Sequence, residues 1–160
     1  MGGAMATLPI LKYPDPVLKR LCSPVPQVDE DLQRFICDMF DTLGPARGVG
    51  LAAPQVGRSL RLFVVRIDSE LTFVNPTITH REGTQKDSEG CLSLPGVYEK
   101  IERAQKVRVS ALDFESKPFE LNAEGFLAVA IQHEFDHLQG LLMLDRLGPV
   151  ARRMAVKSML

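Results

Sequence analysis

A chain of 160 residues is long enough to bury one substantial core and too short for two domains of ordinary size. Apolar residues make up 45% and charged residues 24%, close to the globular average, which argues against a disordered or fibrous chain. With 19 Lys and Arg against 20 Asp and Glu the formal charge is −1, so no whole-chain basic field exists to hold a phosphate backbone, and specific nucleic-acid binding gains no support.

The start, MGGAMATLPI, has neither a basic segment leading into a long apolar stretch nor the composition of a transit peptide, so export is not expected. Gly2 follows Met1, but the myristoylation pattern needs Ser or Thr where Ala6 stands, and Met5 is an equally good initiator. Pro14, Pro16, Pro24 and Pro26 keep the first 28 residues extended or turned, a segment suited to wrapping a surface. From Asp29 the pattern changes. Leu32, Phe35, Ile36, Met39, Phe40 and Leu43 form one apolar stripe at helical spacing, on a helix that Gly44-Pro45 is expected to stop.

Residues 60–67, 71–78 and 106–114 are short, rich in β-branched and aromatic residues and separated by polar or Gly/Pro punctuation, so they read as strands. The link Asp68-Ser69-Glu70 is too short for a helical crossover and predicts antiparallel pairing of the first two. An α+β class follows. Residues 123–138 read as a helix with Asn122 as its N-cap and Gly140 placed to end it. Its apolar run, Phe126 to Ile131, is six residues where a bilayer-spanning helix takes about 20, so no membrane span is expected. The three cysteines, Cys22, Cys37 and Cys91, are too few and too odd for a disulfide framework and read as reduced thiols, hence a cytoplasmic location.

The 123–138 helix is apolar nearly all round its first half, the mark of a buried helix, yet its second half carries His133, Glu134, Asp136 and His137. Such groups are costly to bury unless they are paired or bound to a metal. His133-Glu134-Phe135-Asp136-His137 is an H-E-x-x-H pattern, whose i, i+4 spacing puts both imidazoles on one helix face. Random placement of this composition would produce it roughly 0.3% of the time. Glu134 would sit beside the ion, able to deprotonate a metal-activated water and hand the proton to a leaving amine.

A catalytic site of this kind needs three protein ligands and one open position. Downstream, Met143 stands where a metzincin would have its third His, and the only carboxylate after His137 is Asp145, so the third ligand comes from upstream. Cys37 and Cys22 read as small core residues. Cys91, in Glu89-Gly90-Cys91-Leu92-Ser93-Leu94-Pro95-Gly96, stands where the chain turns and backbone is exposed; His80 is the other candidate. On local grounds the two remain open.

Three separated blocks, Gly48-Val49-Gly50-Leu51-Ala52-Ala53-Pro54-Gln55, Glu89-Gly90-Cys91-Leu92-Ser93 and Gln132-His133-Glu134-Phe135-Asp136-His137, resemble the signature of the bacterial-type peptide deformylase family in order and spacing. The resemblance runs from Leu8 to about Leu147. It implies one catalytic metallohydrolase domain over residues 1–160, with small antiparallel or mixed sheets packed around a central metal-binding helix. It implies hydrolysis of the N-formyl group from N-formylmethionine of nascent polypeptides, with release of formate. Carried across residue by residue, it makes Cys91, His133 and His137 the metal ligands and Glu134 the general acid/base. Gln55 and the Leu92 backbone N–H steady the oxyanion, Gly50 admits the substrate backbone, and Val49, Phe126, Val129 and Ala130 line the methionine pocket. It implies one divalent ion per chain, Fe²⁺ natively, at a site that Zn²⁺, Ni²⁺ or Co²⁺ also suits.

Glu89 and Asp136 are then expected to orient the histidines, with Arg103 as an ion-pair partner for either. After Pro95 the chain reads Gly96-Val97-Tyr98, where some bacterial members carry Arg near the position of Tyr98, so a different rim to the substrate cleft is expected. The basic amphipathic segment 149–160 is shorter than the C-terminal helix by which some relatives dock on the ribosome, which leaves a transient ribosome contact open; a monomer is expected. Two other readings compete: a metal-dependent endopeptidase of another H-E-x-x-H lineage, and a non-catalytic protein with a structural metal.

Overall fold

The computed structural model describes residues 6–160; the readings that fall on Gly2 and Met5 lie outside the described residues. Helix α1 (Glu30–Ala46) is followed by strands β1 (Gly50–Ala52), β2 (Leu62–Arg66), β3 (Glu70–Glu82), β4 (Gln85–Cys91), β5 (Leu94–Arg103), β6 (Lys106–Leu112) and β7 (Pro118–Glu124). Helices α2 (Gly125–Leu138) and α3 (Pro149–Ser158) complete the chain. The class is α+β. Five strands form a sheet in the order β1-β2-β3-β6-β7, and β4 and β5 form a separate hairpin. Every strand pairing in both sheets is antiparallel, and the one parallel contact among the described residues is the isolated bridge Ser23–Leu60.

Strand β2 shows why the five-stranded sheet is covered on both faces. Alternate residues point to opposite sides: Leu62 and Val64 join Ile36, Met39 and Leu43 of α1, while Phe63 and Val65 join Ala128, Ile131 and Leu138 of α2. Phe63 stacks on Phe73 of β3 at 4.6 Å between ring centroids. Each of the larger of these fully buried side chains, the Val, Leu, Ile, Met and Phe residues, contributes about 1.5–3 kcal/mol by leaving water. A third cluster joins Leu94, Val97 and Ile101 of the hairpin to Val17, Leu18, the segment 142–144 and Ala155 of α3.

The Asp29 side chain accepts from the Leu32 N–H at 2.9 Å and caps α1, with Glu30 and Asp31 favourably placed in its first turn. Pro45 does not stop this helix as the sequence led us to expect. It sits in the last turn, where its missing N–H removes one bond only, and the helix ends where Arg47 turns left-handed at φ 57. Asn122 is not the N-cap of α2: it lies in β7 and accepts from Arg108 Nε across the sheet at 3.0 Å. Strand β7 therefore runs on to Glu124, and Gly125, at φ +63, turns the chain into α2.

The proline-rich start wraps the surface as expected and ties the site-bearing segments together. Leu11 N–H donates to the Gln55 carbonyl, Tyr13 N–H to that of Ser93 and Cys22 N–H to that of Leu138. Asn75, at φ 50, clasps Val25 through two side-chain bonds. Gly140, at φ +74, allows the Lys19 carbonyl to approach to where a Cβ would lie only 2.5 Å from it.

The Asp145 carboxylate ties this wrap to the C-terminal part of the chain, accepting from Lys19 Nζ of the wrap, from the Leu142 N–H and from Arg152 Nη1 of α3, at 2.8 Å each. Burial alone would raise its pKa, but these bonds outweigh burial and hold it at about 2. A pKa depressed on folding adds stability that is full above the ordinary carboxylate range and is lost as pH falls through the folded value. Asp145→Asn should therefore lower the urea midpoint at pH 7, with the gap to wild type narrowing as pH drops from 4 towards 2. An unchanged gap at pH 3 would show that the carboxylate charge is not what holds the wrap.

Candidate metal centre

Helix α2 presents His133 and His137 one turn apart, with ring centroids 5.2 Å from each other. Opposite them, β4 ends at Cys91, where the hairpin register shifts: Gly90 pairs with Tyr98 but Cys91 with Leu94. That irregularity turns the thiol towards the helix, leaving Sγ 3.6 Å from His137 Nε2. The ligand atoms of Cys91, His133 and His137 all lie within 4.8 Å of one another. His80 is brought nowhere near them; it sits exposed on β3, paired with Arg108 of β6. Cys22 is a core residue whose thiol burial pushes up to about 11, and Cys37 is half-buried on α1.

The donor set fits a divalent ion. It offers a sulfur and two imidazoles, all of them borderline or soft ligands, and among the described residues it holds three candidate ligands, as an open catalytic site does. Glu134 adds an acid without being one of the three. It is 4% exposed, and its Oε1 has no hydrogen-bond partner among the described residues. Burial pushes its carboxyl up to about 7, against the pull of His133 and Arg103. His137 is held near 3 by burial and by His133, and its Nδ1 also lacks a partner among the described residues. For His133, burial is outweighed by Cys91, Glu134 and Glu89, which favour its cation.

Gln55 lies in the short turn Ala53–Val56, 1% exposed, its Oε1 fixed by the Ala52 N–H at 2.9 Å. That bond aims Nε2 at Ser93 Oγ, 3.1 Å away, and at Cys91 Sγ, 3.8 Å away. Gly50 serves Glu134 directly: a Cβ there would lie 2.6 Å from Glu134 Oε2. At Gly48 a Cβ would meet the Leu92 side chain at 2.7 Å.

A cavity of about 600 Å³ opens over the centre, and Val49, Gly50, Gln55, Leu92, Phe126, Val129 and Ala130 all line it. Val129 and Ala130 form buried wall, whereas Val49 and Phe126 are 40% and 55% exposed and stand at the mouth. Sequence reasoning missed Ser93, although it stood inside a quoted block, and Arg47, which also lines the cavity.

His133 Nδ1 lies 3.0 Å from Glu89 Oε1. Arg103, 4% exposed, grips Glu89 with two bonds of 2.9 Å and reaches Asp136 at 2.6 Å. Both carboxylates have pKa values below the ordinary range. Burial would raise them, and the hydrogen bonds from Arg103 and His133 to Glu89, and from Arg146 and Arg103 to Asp136, prevail. Arg103 thus partners both of the acids that the sequence offered it.

A family model for polypeptide deformylase matches residues 7–153. The chain belongs to this family of enzymes. It is 48% identical to the peptide deformylase of Alkalilimnicola ehrlichii over 154 residues, covering 93% of this chain and 86% of the relative. The crystal structure of a Legionella pneumophila peptide deformylase superposes with a TM-score of 0.94 at 49% identity, over 96% of this chain and 94% of that one. A Synechococcus elongatus peptide deformylase, solved in complex with actinonin, gives a TM-score of 0.91 at 39% identity, over 95% and 85% of the two chains.

Deformylases are hydrolases, and the space at Gly50 bears on turnover here. Gly50→Ala should fold and keep its metal but lose about two orders of magnitude in turnover, because a small displacement of a catalytic group costs on that order. Metal content and kcat measured on the same sample check this; unaltered turnover would show that Glu134 has room to move.

Proposed function

We propose that the chain removes the N-formyl group from N-formylmethionyl peptides and nascent chains, releasing formate and a free amine. The observation that carries this is the arrangement at the cavity floor, where Glu134 lies buried, one oxygen without a partner among the described residues, beside the Cys91, His133 and His137 cluster. These three residues would hold the ion, which when bound supplies a Lewis acid that polarises the formyl carbonyl and makes water more acidic.

The rest falls to the chain's own groups. Glu134 takes a proton from the attacking water and returns it to the amide nitrogen as the C–N bond breaks, so one carboxyl serves as base and then as acid. Gln55 Nε2 and the Leu92 N–H donate to the oxyanion that develops on the formyl oxygen, where preorganised donors count most. Val49, Phe126, Val129 and Ala130 offer apolar surface to the methionine side chain. Fe²⁺ is the native ion in this reading, and Zn²⁺, Ni²⁺ and Co²⁺ suit the same donors.

Formate release from formyl-Met-Ala-Ser, by protein prepared without oxygen, tests the reading. Release should vanish in Glu134→Ala and in a metal-stripped sample and return in the latter on adding metal. Cleavage of an internal peptide bond in place of formate release would move the chain to the endopeptidases. A ferrous ion beside a thiolate is open to oxygen damage, and Cys91 with it. In air the iron form should therefore lose activity rapidly while a nickel form persists; equal decay of the two would remove this explanation.

A further inference from the structure

The line of ionic contacts behind His133 does not stop at Arg103. Asp136, one turn beyond His133 on α2, accepts from Arg103 Nη1 at 2.6 Å. Its two oxygens also accept from Arg146 Nε and Nη2, at 2.6 and 2.7 Å. His133, Glu89, Arg103, Asp136 and Arg146 thus form one continuous chain of hydrogen bonds. The side chains of Glu89, Arg103 and Asp136 are each at most 8% exposed, while that of Arg146 is 42% exposed.

Charge makes the outermost member matter. The buried part holds two carboxylates against one guanidinium, and an uncompensated buried charge is strongly unfavourable. Arg146 supplies the second cation, in the two-bond geometry that a planar guanidinium offers a carboxylate. Without it, Arg103 would be the only guanidinium among the described residues bonded to Asp136, while it also serves Glu89. Any movement of Arg103 towards Asp136 would loosen Glu89, the group that fixes the ring of His133.

We propose that Arg146 is a positioning residue for the metal centre, holding Asp136 so that Arg103 stays on Glu89 and Glu89 keeps His133 aimed at the ion. This rests on the reading that Cys91, His133 and His137 bind a divalent ion, and not on the identity of the substrate. A merely structural role for Arg146, tying the segment Met143–Arg146 to α2, would leave the ion's surroundings unchanged.

The test loads the whole protein with Co²⁺, whose absorption reports both the ligand geometry and the Cys91 thiolate, and follows loss of that absorption to excess chelator. Changes in groups that orient metal ligands typically cost about 10–100-fold in metal affinity. Arg146→Ala should release cobalt at least about 10-fold faster than wild type, with a shifted cobalt spectrum before release. Arg146→Lys keeps the charge but not the two-bond fork and should fall in between. It also serves as the test should the alanine variant fail to fold.

Arg152→Ala is the control. Arg152, on α3, bonds Asp145 next to Arg146 in sequence, and its side-chain bonds among the described residues do not include Asp136, so its cobalt rate and spectrum should match wild type. Wild-type rate and spectrum in Arg146→Ala, or in Arg146→Lys where the alanine variant does not fold, would overturn the proposal. Equal acceleration in Arg152→Ala would overturn it too. A wild type that takes up no cobalt would instead overturn the metal reading on which it rests.

Discussion

Helix α2 carries His133, Glu134, Asp136 and His137 into an interior from which water is largely excluded, and the electrostatic cost of doing so shapes the surrounding structure. Each group meets that cost differently. Asp136 is paired twice over, with Arg103 and Arg146. His133 leans on Glu89, and Glu89 on Arg103. Glu134 and His137 each keep one atom without a partner among the described residues. Unpaired buried polar atoms are rare in folded proteins and tend to mark function. Here they lie together at the floor of one cavity or beside it, next to the thiol of Cys91.

Two further elements exist to enclose that helix. The five-stranded sheet covers one side of α2 through Phe63, Val65 and Phe73, a dry contact that fixes the helix but carries no chemistry. The β4–β5 hairpin supplies Glu89 and Cys91 from the other side, and its break in register at Gly90–Cys91 is what aims the thiol. The N-terminal wrap then bonds to Gln55, Ser93 and Leu138, one residue from each of the three segments that build the site. A loop-like segment with almost no regular structure therefore acts as a strap across the site-bearing elements.

Much of this was legible in the sequence because the signals were local. The stripe from Leu32 to Leu43 marked α1, β-branched runs marked β2, β3 and β6, and the spacing of His133 and His137 marked the candidate metal pair. Strand β4 was not legible, since Lys86, Asp87 and Ser88 are exposed and its inward residue Glu89 is a carboxylate, so no apolar alternation exists to read. Strand β5 carries Pro95 and Gly96, which punctuate it like a loop. Strand β7 does alternate, with Phe119, Leu121 and Ala123 facing in, but it runs straight into the apolar half of α2. Its Asn122 mimics a helix cap until Arg108 is placed across from it. The choice between Cys91 and His80 turned on sheet register, and Arg146 gave no signal because its partner lies ten residues away on another element.

Space is the remaining constraint, and the Gly48-x-Gly50 block shows how backbone can serve chemistry. Strand β1 pairs with β2 on one side and presses on α2, so a residue at position 50 faces Glu134 at short range. With no side chain at Gly50, the carboxylate can occupy the volume a Cβ would need; with none at Gly48, Leu92 can fold in beneath the mouth of the cavity. Both glycines act through what they leave out, and neither has a positive φ. Their contribution is therefore close approach and not a special backbone turn. The same logic separates them from Gly125 and Gly140 at the two ends of α2, which do adopt left-handed φ values and set where the helix begins and ends. Two kinds of glycine thus fix, respectively, the side chains that close in on the cavity, Glu134 and Leu92, and the helix that bears the acid.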